Sequence, residues 1–312
     1  MWPSRPIVQN TPGLVPSVVT ALIAFSGQVL SLVNHRLYWR CCHRLASLVR
    51  GRGYKCVVTL DDDCHMAVLL DDPYWSRLIS KSYRYEADFT RVLRQLNNID
   101  FDVIDCGANF GYWSIVLSGR AMGGRNVLAV EAMPDTYNRL LINKELNGHR
   151  FRCVCYAISS CSGDTVTMQG LADHSDVSIQ REPPTRGNTR AVTTITLDDL
   201  IQRYYESAPG RLLIKLDVEG EEINALIGAK ELLTRDVLLY YEDHGRDKAC
   251  SVTRFVLEEL GLKVYFCPSD GHLIPITSVA AAASLKRRNN IAYNFEACSE
   301  NSVFFQALQK LC

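Results

Sequence analysis

The segment DVIDCGANFGYWS, Asp102 to Ser114, decides the fold: an apolar strand ending in an acid, a loop holding Gly107 and Gly111, and a helix start. Glycine lets the backbone turn tightly and approach a ligand, and the helix that follows offers free N–H groups at the positive end of its dipole. The spacing is GxxxG rather than GxGxxG, and no G-K-S/T follows, so a dinucleotide dehydrogenase or a P-loop enzyme fits less well. The next apolar run, VLAV, ends at Glu131, twenty-four residues after Gly107, where an acid can accept hydrogen bonds from both hydroxyls of a ribose. The competing reading of Glu131 is a helix-capping carboxylate of EAMPDTYNRL. Phe110, Tyr112 and Trp113 beside the loop either shield a ligand or pack on the sheet, with packing preferred for Trp113.

Outward from this segment, strand and helix patterns alternate almost to the C-terminus, as expected of a doubly wound α/β fold whose mostly parallel sheet is covered on both faces. Strands are expected at 101–105, 126–131, 151–158, 211–217, 236–242, 262–267 and 302–308. Upstream, residues 54–70 read as a hairpin turning at Asp61 to Asp63, and Tyr85 to Leu96 as a helix with Phe89, Val92, Leu93 and Leu96 on one face. The stretch 171–190 is too long and polar for a simple connection; it is a candidate lid or substrate loop containing His174, or a surface insertion.

The chain divides at residue 53 into an N-terminal helical extension, 1–53, and a main domain, 54–312. From Leu14 to Val33 the extension carries no charge and is long enough to cross a bilayer, although Pro16, Gly27 and Gln28 weaken that case. It spans, lies flat on a membrane, or packs as a helix on the domain or another subunit, and packing is preferred. Arg36, Arg40, Arg44, Arg50, Arg52 and Lys55 follow it, against Arg5 ahead, which argues against a cleaved signal and would leave a spanning form with its bulk in the cytosol.

Of 312 residues, 47% are apolar and 22% charged, enough for a substantial core. Lys plus Arg equals Asp plus Glu at 34 each, so no overall field favours a nucleic-acid partner. The 12 cysteines form no CxxC pair, and Cys106, Cys153, Cys155 and Cys267 sit in apolar runs, which reads as buried reduced thiols in a cytoplasmic protein.

From about Tyr54 to Leu308 the chain resembles the FkbM family of class I S-adenosylmethionine-dependent methyltransferases. Four segments carry the likeness: DVIDCGANFGYWS at 102–114, VLAVEAMPDTYNRLLINKELNG at 127–148, AVTTITLDDLI at 191–201 and LLIKLDVEGEEINALIGAKELL at 212–233. The resemblance implies a Rossmann-like seven-strand sheet whose final strand, SVFFQAL, runs antiparallel, and methyl transfer from S-adenosylmethionine to a hydroxyl. It also implies that Asp105, Gly107, Asn109 and Gly111 surround the methionine and ribose of the cofactor. By the same likeness Glu131 binds the ribose, Ala157 and Ile158 border the adenine, and Glu86 meets the amino group. Cys106, Tyr156 and the first fifty residues depart from the family pattern, and none of these departures removes a reacting group.

Ligands of open α/β sheets bind beyond the carboxyl ends of the strands. There the strand LLIKL ends in Asp217, Glu219 and Glu222, and VLLYYEDHG ends in Glu242, Asp243 and His244. Methyl transfer chiefly needs an aligned acceptor and a proton sink, so Asp217 is the candidate for positioning the acceptor hydroxyl. His244, whose ordinary pKa suits neutral pH, is the candidate base, with Glu242 beside it, and a solvated loop histidine is the competing reading. The same acids with His244 would suit magnesium or manganese, but their spacing matches no closed site, and they equally cap helices or pair with Lys215 and Arg211; no metal is the preferred reading. The activity expected is O-methylation of a sugar, glycan-lipid or polyketide-like hydroxyl, with a non-catalytic cofactor- or partner-binding relative as the alternative.

Overall fold

The computed structural model describes residues 8–33, 35–170, 177–180, 188–207, 209–268, 272–289 and 291–312. In chain order its first strands are β1 (Val8–Asn10), β2 (Lys55–Asp61), β3 (Cys64–Leu69), β4 (Asp102–Cys106), β5 (Val127–Val130) and β6 (Arg152–Val154). Then come β7 (Ala157–Ile158), β8 (Thr165–Gly170), β9 (Val177–Gln180) and β10 (Asn188–Ile195). The last are β11 (Arg211–Leu216), β12 (Asp236–His244), β13 (Lys263–Phe266), β14 (Ile274–Ile276) and β15 (Ala292–Cys298).

The main sheet has the order β14-β13-β15-β12-β11-β4-β5-β6. Strands β12, β11, β4, β5 and β6 are mutually parallel, while β15 runs antiparallel to both β12 and β13. This is the expected doubly wound α/β sheet, with eight strands rather than seven because β14 adds an edge to β13. The chain leaves β4 in one direction toward β5 and β6 and returns in the other through β11 and β12, so the order reverses between β4 and β11. A ligand crevice is expected at the carboxyl ends of those two strands.

Alternate residues of the central strands feed two cores, because both faces are covered and side chains alternate with period two. Val103, Ala129, Leu213 and Leu238 face one core, with the helices Ala87–Gln95, Tyr112–Leu117 and Val303–Gln309. Ile104, Leu128, Leu212, Ile214 and Leu239 face the other, with the helices Leu197–Tyr204, Glu222–Ile227 and Val279–Leu285.

Two strand expectations fail for physical reasons. SVFFQAL is a helix, Val303–Gln309, not the antiparallel strand: Phe304, Ala307 and Leu308 are buried at helical spacing, and Ser302 caps the start by accepting from Phe304 N at 3.0 Å. The antiparallel strand is β15, whose buried Glu296 disguises it as surface sequence. Residues 151–158 also break at Cys155–Tyr156, and β7 leaves to join a second sheet, β7-β10-β8-β9. The candidate substrate loop lies largely outside the described residues, including His174; its described parts are β9 and the start of β10.

The N-terminal segment forms two helices, Leu14–Val33 and His35–Leu48. Val19, Ile23, Tyr38, Cys42 and Val49 join the same core cluster as the sheet, and β1 pairs with β2 of the hairpin sheet. Among the described residues no helix is long and apolar enough to cross a membrane.

Candidate active site

At the reversal point, β4 and β11 deliver their carboxyl ends side by side, Lys215 opposite Asp105 and Leu216 opposite Cys106. The loop after β4 then turns through three left-handed residues, Gly107 (φ 73°), Asn109 (φ 51°) and Gly111 (φ 91°). A side chain on Gly107 would place its Cβ 1.8 Å from the backbone oxygen of Asp217, so the two loops meet there by backbone alone. At Gly111, which starts the helix Tyr112–Leu117, a Cβ would stand 2.6 Å from Leu140 Cδ1. Both glycines are therefore required by geometry.

Glu131 closes β5 and reaches back to this loop. Its Oε2 accepts from the Asn109 N–H at 2.9 Å and its Oε1 from the Met133 N–H at 2.9 Å. Burial pushes its pKa up to about 7, and the two N–H donors pull against that shift. Each carboxylate oxygen keeps a further acceptor site, as binding two vicinal hydroxyls would demand. Asn109 is itself held, its Oδ1 accepting from Trp75 Nε1 at 3.1 Å and from the Phe110 N–H at 2.8 Å.

Beneath the loop lies a buried charge cluster centred on Lys215. Its ammonium is 2.9 Å from Asp217 Oδ2 and 3.9 Å from Asp105 Oδ1. Asp217, Asp105 and Glu86 all favour its charged form against burial, and the balance holds its pKa above the ordinary lysine value. Asp105 Oδ2 accepts from Ser114 Oγ at 2.6 Å, whereas its Oδ1 has no hydrogen-bond partner among the described residues. Glu86 adopts a left-handed conformation (φ 39°) at the start of the helix Ala87–Gln95, and its Oε2 accepts from Trp113 Nε1 at 2.6 Å. Burial lifts Glu86 to about 7 while Lys215 pulls it down. Lys215, Ser114 and Trp75 carry this architecture, yet sequence reasoning gave none of them a functional role. The K-x-D spacing of Lys215 and Asp217 was the available signal, since alternate strand residues share a face.

At the carboxyl end of β12, His244 Nδ1 stands 3.0 Å from Glu242 Oε1 and its Nε2 3.6 Å from Glu219 Oε2. The contact with Glu219 and the charges of Glu242 and Glu222 push His244 up to about 9 against the cost of its burial, which favours its protonated form over the free base expected from its ordinary pKa. Burial and Asp217 push Glu242 up, and the imidazolium pulls it back.

The other acids of the two clusters serve structure. Glu222 accepts from the N–H groups of Val218 and Gly220, tying its own loop. Asp243 is buried against Lys286 at 2.5 Å and Thr253 Oγ1 at 2.6 Å. Ala157 and Ile158 are buried; Ala157 packs with Met133, two residues after Glu131, and Ile158 faces the core beneath the sheet. Among the described residues no group of three or more His, Cys, Asp and Glu could hold a metal ion.

A cleft of about 550 Å³, lined by Asp63, Ser118, Arg120, Asn147 and Arg150, lies at the amino ends of the strands, away from these groups. Asp63 already pairs with Arg120 and Arg150 there, so the cleft offers no comparable chemistry.

In comparisons with known proteins, the family described as "Methyltransferase FkbM domain" matches residues 105–265, just over half of the chain. Hexuronic acid methyltransferase AglP of Haloferax volcanii is 27% identical over 179 residues, covering 57% of this chain and 70% of that protein. A solved methyltransferase FkbM from Methylobacillus flagellatus KT is 16% identical with a TM-score of 0.41, covering 64% of this chain; the chain spans only 43% of that structure's length. A precorrin-6y C5,15-methyltransferase from Geobacter metallireducens GS-15 is 17% identical with a TM-score of 0.41, covering 70% of this chain and 91% of that one. On the extent of the family match, which begins at Asp105 and runs through Glu131 and Asp217, this chain belongs to the FkbM methyltransferase family.

Proposed function

We propose that the chain transfers a methyl group from S-adenosylmethionine to a hydroxyl of a sugar or sugar-containing acceptor. The observation that carries this reading is the coupling of Glu131 to the glycine loop through the Asn109 N–H, which holds a carboxylate with acceptor capacity in reserve at the reversal point of the sheet. The residues fit the cofactor: Glu131 for the ribose hydroxyls, Asp105 with its open Oδ1 and Glu86 for the cationic amino end, and the Gly107 to Gly111 backbone for close approach. Ala157, packed beside Met133, is assigned to the adenine side, whereas Ile158 turns into the core. When bound, S-adenosylmethionine supplies an electrophilic methyl carbon on a sulfonium.

We assign Asp217 to hold the acceptor. Lys215 fixes its Oδ2, and its backbone oxygen abuts Gly107, so the carboxylate stands at the junction of the cofactor loop and the acceptor side. Transfer would form a C–O bond at the attacking hydroxyl as the methyl–sulfonium bond breaks and a neutral thioether leaves; the hydroxyl proton then becomes strongly acidic, and a carboxylate can take it. Asp217 is assigned that proton, with the Glu242–His244 pair, 3.0 Å apart, as its neighbour on the same side. Asp217 is preferred to His244 as the first base because the carboxylates around His244 favour its protonated form.

The sugar class rests on the similarity to the hexuronic acid methyltransferase. The test is incubation with methyl-labelled S-adenosylmethionine and glycans containing hexuronic acids or neutral sugars, followed by isolation of the labelled product. A methyl ether on a sugar ring supports the proposal. Label on protein, nucleic acid or nitrogen overturns the acceptor class, and cofactor binding without any labelled product favours a non-catalytic relative.

A further inference from the structure

The N-terminal helical pair carries a surface that neither the core nor the proposed reaction uses. In the helix Leu14–Val33, Val19, Ile23 and Gly27 face the protein, and Gly27 is pressed so closely to the turn beyond Trp75–Ile79 that a Cβ would stand 2.0 Å from Ser80 Oγ. The opposite side should be polar in a helix packed on a soluble domain. Instead Leu14, Val15, Val18, Leu22, Phe25 and Val29 are all exposed, Leu14 to 81% and Phe25 to 66%. At 3.6 residues per turn these six side chains fall within an arc of about 100° and run for about 22 Å along the axis.

The helix His35–Leu48, packed on the first, also exposes basic groups. Tyr38, Cys42 and Ala46 turn inward, while Arg40 and Arg44 are exposed together with Trp39 and Leu48. The first sixty residues contain no Asp or Glu and seven Lys or Arg, in a chain whose total charge is zero. Positive charge is thus concentrated on the one segment that also exposes an apolar stripe.

We propose that this face docks on an anionic lipid surface, with the helix Leu14–Val33 lying in the plane of the interface. An uncharged apolar stripe on one helix, with exposed arginines and a tryptophan on the helix packed against it and no acid in the segment, matches the boundary between acyl chains and anionic headgroups. Val19, Ile23 and Gly27 pack the helix on the protein along its other side, so the contact is peripheral. The docked pair is joined rigidly to the loop that carries the proposed site. Tyr38 OH donates to Arg77 O at 2.9 Å, and Trp75 of the same short helix donates to Asn109. The docking inference does not depend on the methyl-transfer reading.

The test is co-sedimentation of the full chain with vesicles of phosphatidylcholine alone and of phosphatidylcholine with phosphatidylglycerol, at low and high salt. Binding is expected to the anionic vesicles, weakened by salt. Arg40→Gln with Arg44→Gln should weaken it roughly fivefold per charge removed, and Phe25→Ser with Val18→Ser should abolish it. Unchanged circular dichroism and melting would show these surface variants to be folded. Equal binding to neutral and anionic vesicles, or wild-type binding by the Phe25→Ser variant, would overturn the proposal. So would an absence of vesicle binding together with concentration-dependent self-association that Phe25→Ser removes, which would make the face a contact between copies.

Discussion

The backbone oxygen of Asp217 occupies the space that a side chain on Gly107 would need, with only 1.8 Å to the position of a Cβ. This contact joins the loop after β4 to the loop after β11, the two strands between which the sheet order reverses. Gly107→Ala must both adopt φ 73° and separate the loops. We expect a loss of about 3 kcal/mol or more in urea denaturation and loss of S-adenosylmethionine binding in whatever folds. Near-native stability and binding would mean the loops part without cost.

Lys215 is the single buried cation between Asp105 and Asp217. Removing one partner of a buried charge cluster leaves the others uncompensated, which costs about 3–5 kcal/mol. Lys215→Met should therefore destabilise strongly, and Lys215→Met with Asp105→Asn should recover part of that loss. Equal stability of the single and double variants would disconnect Lys215 from Asp105.

Asp217→Asn preserves shape and the backbone contact with Gly107 while removing the carboxylate. Turnover should fall by about 10²-fold or more, the usual contribution of a placed base, while S-adenosylmethionine affinity changes little. Equal losses of both would move Asp217 from the acceptor side to the cofactor shell.

Glu296 faces Tyr240 across β15 and β12, and neither of its oxygens has a hydrogen-bond partner among the described residues. Burial holds its pKa well above the ordinary 4.5. The folded chain thus keeps a proton that the unfolded chain releases above about 4.5, and stability must fall as pH rises from there toward the folded value. Glu296→Gln removes that slope. Its melting temperature should match wild type near pH 4 and exceed it increasingly toward pH 8; a variant less stable than wild type at pH 8 would show that the carboxylate has a partner.

The parts of the fold most legible in the sequence were those where one residue type has one use. Gly107, Gly111 and the acids closing β4 and β5 announced the reversal point, because a tight turn and a strand-end carboxylate leave local marks. The antiparallel strand escapes the sequence because Glu296 and Asn294 break its apolar alternation, and nothing local reveals that Glu296 is buried. SVFFQAL misled in the opposite sense: two adjacent phenylalanines suggest a strand, whereas its helical spacing and Ser302 cap decide the matter. His244 could be found but its protonation could not, since that depends on Glu219 and Glu242 arriving from two different strand ends.

The most direct test of the account is calorimetric titration of S-adenosylmethionine into the wild-type chain and into Glu131→Gln, at several pH values. Ribose hydroxyls donate to the ionised carboxylate, and Glu131 is pushed up to about 7. Wild-type affinity should therefore be greatest above neutrality and weaken as pH falls through about 7. Glu131→Gln should bind roughly tenfold or more weakly and show no such pH dependence. Failure of the wild type to bind, or equal affinity and pH dependence in the variant, would contradict the placement of the cofactor between Glu131 and the Gly107 to Gly111 loop.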